Sequence, residues 1–492
     1  MADAIEQNTN AKRLEAKSAD YAAMQNYQDD VADILIGQEA IKLAQTRYLP
    51  KYPDETDAEY DFRLQYAKFT NIWRDVVEGL ASKPFEEPVR FDETKTQVSE
   101  EYKTFAANVD GSGRSMTVFA MDYFFYGIAY SCDWLFVDFP VVEVAPGTVR
   151  TKAQDKADGV RPLWSRVNVR NVYEVRTEII KGEESVSYIR FFEPPKGDKD
   201  KGFREFQMVG GQATWIIWRW NEKARDYEIE DQGIFAIGVI PMVPFMTGRR
   251  QGLTFQTYPA MKDAKELQLT LYQEETNLEV TKVYAAYPML VGVGVSPSMS
   301  GGDNPKPQRL IRGPGIALYA PFTGAGHQTD WKYIEPGAQT LVFLSADIKA
   351  TKQDLRELGK QPLTVSSGNL TVITTAVAAG KAKSAVKAWA ELLSNALTMG
   401  MKFTAMWMND AANAPKVQVY DDFDEFLEPG QDVNALISMN DKGKLSDETL
   451  WSEMQRRKIL PATFDPEDEK KKLLAQVPNQ DTLNDPTNQP PQ

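Results

Sequence analysis

The chain has 492 residues, 42% of them hydrophobic and 26% charged, with 56 basic against 70 acidic side chains and a net charge of -14. The composition is that of an ordinary globular protein with room for two or three structural regions, and the charge has the wrong sign for gripping nucleic acid by its phosphates, so any contact with DNA or RNA is expected to be local and weak. A single cysteine, Cys132, rules out an intrachain disulfide and reads as a small buried hydrophobe beside Tyr130 and Trp134.

The stretch Met1 to Asp20 is polar and Ala-rich and lacks the apolar region of a secretory signal. Helical material is expected from Lys12 to Thr46. Thr56 and Glu59 then form a capping-box pattern, and Leu64, Ala67, Asn71, Val77 and Leu80 mark the buried side of one helix running to Ser82, stopped by Lys83-Pro84. A second helix is expected from Ser115 to Tyr126, followed by a strand over Trp134 to Phe139 that Pro140 ends. Between Pro162 and Phe245 the period changes to two. Val172 to Arg176, Ser187 to Phe191, Ala213 to Trp218 and Tyr227 to Ile229 alternate or run apolar between Gly, Pro and Lys/Asp turns, the pattern of a mostly antiparallel sheet. The longest uncharged apolar run, Gly233 to Thr247, is too short for a bilayer and carries Pro241 and Pro244, so it reads as two buried strands meeting at a turn.

From Tyr258 to Asn409 two helical stretches enclose a strand-rich insert. Ala260, Ala264, Leu267, Leu271, Leu278 and Ala285 recur near every 3.6 residues, with Glu266, Glu274, Glu275 and Glu279 largely outside the stripe, which predicts a helix of up to roughly 25 residues, or about 40 Å. Short strands are expected at Met289 to Val295, Gly315 to Tyr319 and Trp331 to Ile334. Leu341, Leu344, Ile348, Leu355 and Leu358 then repeat the helical spacing until Gln361 to Asn369 interrupts it, and Val386, Trp389, Leu393, Leu397, Met401, Ala405 and Met408 form a third stripe. Val417 to Tyr420 reads as a strand and Asp421 to Glu428 as an acidic turn. Ser446 and Asp465-Pro466 open two final helices, and the Asn/Gln/Pro-rich residues 476–492 are expected to be disordered.

Little in this inventory supports catalysis. The one histidine, His327, sits in a Gly-rich segment, which leaves zinc sites and an ordinary Ser-His-Asp triad hard to build. Gly292-Val293-Gly294 lacks the third glycine of a dinucleotide fingerprint, and no phosphate-binding loop with its Gly-Lys-Ser/Thr ending occurs. Paired carboxylates serve glycosidases and metal-dependent nucleases without histidine, but 70 acidic residues make such pairs inevitable by chance. The cluster Asp421, Asp422, Asp424 and Glu425 lacks calcium-loop spacing and reads as a solvated acidic face, and the sequon Asn369-Leu370-Thr371 carries no weight without a secretion signal.

Several blocks, in order, resemble the portal proteins of tailed bacteriophages: Tyr48-Leu49-Pro50-Lys51 with Glu55 to Tyr60 and Asn71 to Gly79; Tyr126-Gly127 leading into Leu135 to Pro140; Tyr258 to Pro288; and Leu445 to Thr449 with Arg456 to Pro461. The resemblance implies an α+β, portal-type fold with no enzymatic activity and no cofactor. In it residues 1–257 would be the wing, 258–286 the first stem helix, 287–336 a small β clip and 337–360 the second stem helix. Residues 361–371 would be the tunnel loop, 372–410 the long wing helix, 411–433 a wing return and 434–475 a helical crown. It further implies a virion protein, assembled in the host cytoplasm, that forms a ring of twelve copies at one capsid vertex, through which DNA is packaged and ejected. Its partners would be its own copies, the large terminase subunit, a head-tail adaptor or tail protein, the major capsid and scaffolding proteins, and double-stranded DNA touched weakly; no membrane is implied. Gln361, Leu363, Thr364, Val365, Ser366, Ser367, Gly368 and Asn369 would form the tunnel loop. Lys360, Lys381 and Lys383 are candidate channel contacts to DNA, and Arg309 and Arg312 candidate clip contacts to the motor or adaptor. Another virion component, of neck or capsid, and a carboxylate-dependent enzyme stay open as alternatives.

Overall fold

In a computed structural model of the chain, the described residues are 9–93, 97–140, 151–180, 182–251, 255–286, 289–293, 317–320, 330–334, 338–360, 372–421, 436–456, 459–460 and 464–476. The chain divides into two compact units, Met1–Asp421 and Asp422–Gln492.

The first unit opens with α1 (Thr9–Glu15), α2 (Ala19–Ile36) and α3 (Gln38–Leu43), three helices where the sequence predicts one run. Gly37, at φ 103, is the break between α2 and α3: this left-handed backbone is open to glycine and closed to a helix interior. The helix expected from Thr56 to Ser82 is likewise two, α4 (Asp57–Gln65) and α5 (Ile72–Ser82). Thr56 and Glu59 form the predicted capping box on α4. Asn71, read from the sequence as a buried-face residue, is instead the N-cap of α5: its Oδ1 accepts from Arg74 N at 3.0 Å, and its amide donates to Ile34 O at 2.6 Å. After β1 (Arg90–Phe91) and α6 (Glu100–Ala107) comes α7 (Met116–Tyr130), which starts at the Ser115 cap and runs past Gly127.

Strand β2 (Cys132–Asp138) is buried on both faces and is the middle of a three-stranded sheet. Its partners are β3 (Leu163–Val167), reached past α8 (Lys152–Ala157), and β9 (Met242–Met246), both antiparallel. The period-two region folds into an antiparallel sheet as predicted, a meander of β4 (Val172–Ile180), β5 (Glu183–Glu193), β6 (Gly202–Val209), β7 (Gln212–Asn221) and β8 (Asp226–Ile234), of which β6 was not among the segments read from the sequence. Alternation along the strands sorts the layers. On one face of the three-stranded sheet Leu135 and Trp164 meet a later helix at Gly400, and Phe245 stacks on Phe124 of α7 with ring centroids 5.5 Å apart. From the other face Phe136 reaches Phe206 of the meander at 5.2 Å. The meander's far side, with Phe203, Trp218 and Tyr227, is covered by Ala11 and Leu14 of α1. A buried carboxylate fastens that helix: Glu205 accepts from Arg13 at 2.6 and 3.1 Å, from Tyr188 OH at 2.6 Å and from Trp218 Nε1 at 3.0 Å. Arg190 closes the other end by donating to the carbonyls of Arg13 and Ala16.

Past β10 (Arg249–Arg250) and β11 (Thr257–Tyr258) the chain enters α9 (Lys262–Ala286), then β12 (Met289–Val293), β13 (Ala317–Ala320) and β14 (Asp330–Ile334), then α10 (Ala338–Lys360) and α11 (Val372–Trp407). The three strands form one sheet in the order β13-β12-β14, parallel on the first side and antiparallel on the second. β15 (Val417–Gln418) returns to pair with β1.

The second unit holds α12 (Asp447–Arg456) and α13 (Pro466–Gln476). Ser446 caps the first, Pro466 opens the second, and Trp451 against Phe464, 5.9 Å between centroids, joins them. Residues 476–492 were read as disordered; all but the first lie outside the described residues, as do Asp422, Asp424 and Glu425.

Candidate functional site

The long helices join the body in two ways: α11 packs an apolar stripe into its core, whereas α9 meets it through a face that is half polar. On α9 the buried positions are Ala264, Lys265, Gln268, Leu271, Tyr272, Glu275, Thr276 and Leu278, half of them polar or charged. Gln268 Oε1 accepts from the backbone N–H groups of Ile72 and Trp73 at 3.0 and 2.9 Å, and its amide donates to Thr70 O at 2.9 Å. Glu275 accepts from Thr70 N at 3.0 Å and from Thr70 Oγ1 at 2.8 Å. The first turn of α5, whose N–H groups have no partner within their own helix, is thus satisfied from α9. This corrects the sequence reading of Glu275 as an outward residue. The signal was present: 264, 268, 271, 275 and 278 follow one helical stripe, and the stripe contains Gln268 and Glu275 as well as apolar residues.

Two further contacts tie the assembly down. Lys265 donates to Asp30 at 2.8 Å and to Glu266 at 2.6 Å, and Asp30 also receives Arg47 at 2.7 Å and Tyr48 OH at 3.0 Å. Burial works against the Lys265 ammonium, but those hydrogen bonds outweigh it and hold its pKa above the ordinary lysine value. Across the α9–α10 seam Lys352 reaches Glu275 at 2.6 Å. Beside it burial raises the pKa of Glu274, helped by the nearby Asp347 and Glu275 charges and opposed by a hydrogen bond from Thr351.

Helix α10 turns Ile348, Thr351 and Leu355 inward. Its opposite face carries an apolar stretch over 342–350, between exposed Gln339 and Gln353: Val342 and Phe343 are each 68% exposed, and Ala346 and Ala350 continue the stripe. On α11 the predicted stripe Val386, Trp389, Leu393, Leu397, Met401 and Ala405 is buried, while Met408 falls one residue beyond the helix and is half-buried. Thr404 Oγ1 accepts from Trp164 Nε1 at 2.9 Å, and Gly400 lets α11 approach the three-stranded sheet so closely that a Cβ there would lie 2.7 Å from Leu135. Across the helix Ala388, Leu392 and Met399 face solvent, Leu392 at 46% and Met399 at 36%. On β14 Trp331 and Tyr333 are exposed.

Of the residues named from the sequence, Lys360 closes α10 and Lys381 and Lys383 stand in α11, but their side chains are outside the described set. Gln361, Leu363, Thr364, Val365, Ser366, Ser367, Gly368, Asn369, Arg309, Arg312 and His327 all lie outside the described residues. On the described surface of α10 exposed Lys349 and Arg356 lie along one side of the helix and exposed Asp347 and Asp354 along another. Among the described residues no cluster of three or more His, Cys, Asp or Glu side chains is placed to hold a metal ion, and no helix is long and apolar enough to cross a membrane. A cleft of about 600 Å³ is lined by Phe136, Phe139, Phe206, Trp215, Phe235 and Trp407. Its Arg204 is ion-paired to Glu193 at 2.6 Å and to Asp138 at 3.4 Å.

A family model described as a domain of unknown function, DUF4055, matches residues 261–408, under half of the chain, from the start of α9 to the end of α11. No curated protein matches the sequence. Among solved structures the chain is similar to one described as the neck of an empty GTA particle with C6 symmetry, at 12% identity and TM-score 0.38, covering 82% of this chain and 90% of that one. It is also similar to the neck of a native GTA particle with C12 symmetry, at 9% identity and TM-score 0.36, covering 83% of this chain and 96% of that one. Likenesses of that size carry no argument about what this chain does.

Proposed function

We propose that the chain is a portal-type subunit of a virion, which assembles with its own copies into a ring whose central opening passes double-stranded DNA. The observation that supports this most is the element order. A helix of 25 residues leads into a three-stranded sheet, a helix of 23 residues returns from it, and after segment 361–371 a helix of 36 residues runs back along the body. The order agrees with the blocks that resemble portal proteins in sequence, and the exposed apolar stripes on α10 and α11 call for neighbours to cover them. Net charge of -14 per copy favours passage of DNA over retention, because phosphate clamping needs positive charge.

No catalytic step is assigned to the chain. In this reading it is the conduit and docking ring, and the work of moving DNA belongs to a separate motor partner. Two measurements on purified full-length protein test it together. Light scattering is expected to give a closed oligomer with a mass several times 55.4 kDa, and incubation with ATP, magnesium and DNA is expected to yield neither phosphate nor cut ends. A persistent monomer would contradict the assembly reading. Hydrolysis or cleavage abolished by one carboxylate substitution would replace it with an enzyme.

A further inference from the structure

The two apolar stripes differ in residue content and sit on different helices of one unit. With 100° per residue on a helix, Val342, Phe343, Ala346 and Ala350 cluster within about 100° on the side of α10 opposite Ile348 and Leu355. Exposed acids, Asp347 and Asp354, border this stripe on one edge, and exposed bases, Lys349 and Arg356, on the other. On α11 Ala388, Leu392 and Met399 form a stripe of the same kind that half-buried Phe403 and Met406 extend. Single exposed hydrophobics are ordinary on a protein surface, whereas runs at helical spacing on the far side of an already buried helix mark an interaction face.

We infer that these two faces are the two halves of one subunit contact: the α10 stripe of each copy lies against the α11 stripe of the next. The argument is one of symmetry. A two-fold contact uses a single self-complementary patch, whereas a head-to-tail contact needs two different patches on each chain and closes into a ring when the rotation closes. This chain carries two, a shorter one over 342–350 on α10 and a longer one over 388–406 on α11, both within the residues 261–408. The occupant of each face is therefore a second copy of this chain, met through its other face. The inference rests on the ring reading and specifies which surfaces make the ring.

Single cysteines separate the arrangements. Phe343→Cys and Leu392→Cys place thiols on exposed positions, and the only native thiol, Cys132, is buried, so wild-type protein is the background control. The variants, one enlarged by a tag, are assembled separately and as a mixture, then treated with a short bismaleimide. The expected result is a cross-linked pair containing one chain of each kind, about tenfold more abundant in the mixture than the pair formed by either variant alone. Phe343→Asp and Leu392→Asp, each alone, are expected to leave the monomer folded by circular dichroism and to shift the protein from oligomer to monomer. Strong self-cross-linking of each single variant would overturn the inference in favour of two-fold contacts. Rings that persist by mass with no mixed cross-link, and with both Asp variants still assembled, would overturn it while leaving the ring reading intact. Wild-type protein that stays monomeric at every concentration would overturn both.

Discussion

Gln268 shows how one side chain holds two elements together. Its amide oxygen takes two backbone N–H groups at the start of α5, and its amide nitrogen takes Thr70 O, all three within hydrogen-bond distance in a buried setting. Gln268→Ala leaves Trp73 N without this partner, whereas Ile72 N still donates to Thr70 O at 3.1 Å, and an unsatisfied buried group costs about 1–3 kcal/mol. Urea denaturation is expected to show a loss of about 1–3 kcal/mol; a change under about 0.5 kcal/mol, the size of an ordinary surface substitution, would mean that water replaces the amide without cost. Glu184 gives a pH-dependent counterpart. Its carboxylate accepts from both terminal nitrogens of Arg250 at 2.7 Å, and that pairing, with a further hydrogen bond from Thr177, lowers its pKa from the ordinary 4.5 to about 2. A lowered folded-state value means that the contribution is complete above pH 4.5 and is lost as pH falls towards 2. Glu184 is 45% exposed, so screening limits the effect to about 1 kcal/mol or less. Stability measured from pH 5 down to pH 2 is expected to fall less steeply for Glu184→Gln than for wild type, and equal slopes would remove this pair from the acid response. The capping box at Thr56 was legible in the sequence because it is local, a Thr and a Glu three residues apart. The role of Gln268 was not, since it is completed by Thr70, Ile72 and Trp73, almost two hundred positions away.

Elements were legible where their period was strong and uninterrupted. The stripes on α10 and α11, four of the five meander strands and the three short strands between the helices stand where the spacing put them, within a few residues, while β6 (Gly202–Val209) was not among the segments read. Helices were misjoined where a turn preserved the apparent period: Ala67 and Val77 are both buried, so the stripe through Asn71 survives although the chain breaks from Tyr66 to Asn71. Strand pairing was not legible at all between β1 and β15 or between β2 and β9, because those partners are over a hundred residues apart and no local pattern encodes their register. The contacts of α7 and α11 with the three-stranded sheet depend on two missing side chains. A Cβ at Gly127 would sit 2.2 Å from the Phe245 ring, and one at Gly400 would sit 2.7 Å from Leu135. Gly127→Ala and Gly400→Ala are each expected to cost about 1–3 kcal/mol through overpacking, the first more than the second, read as lowered melting temperatures. Unchanged melting at Gly127 would mean that the helix and Phe245 shift apart freely.

At the scale of the whole molecule, the first unit is a layered body with long helices, two of which, α10 and α11, carry exposed apolar residues opposite their buried stripes. That construction suits a subunit meant to be completed by copies of itself. Segment 361–371 joins the two helices that carry those faces; Pro362 removes a backbone donor and Gly368 relaxes the dihedral limits, both of which break a helical period. On the proposed portal reading, in which segment 361–371 is the tunnel loop, deleting residues 363–369 is expected to leave oligomers intact while lowering the length of DNA packaged or retained in particles, and loss of assembly or normal packaging would contradict that assignment. The central claim is the ring itself. Class-averaged electron micrographs of the purified full-length protein test it most directly: the account predicts end-on views with cyclic symmetry around an open channel wide enough for a DNA duplex, and a field of monomers, two-fold dimers or closed particles without a channel would contradict it.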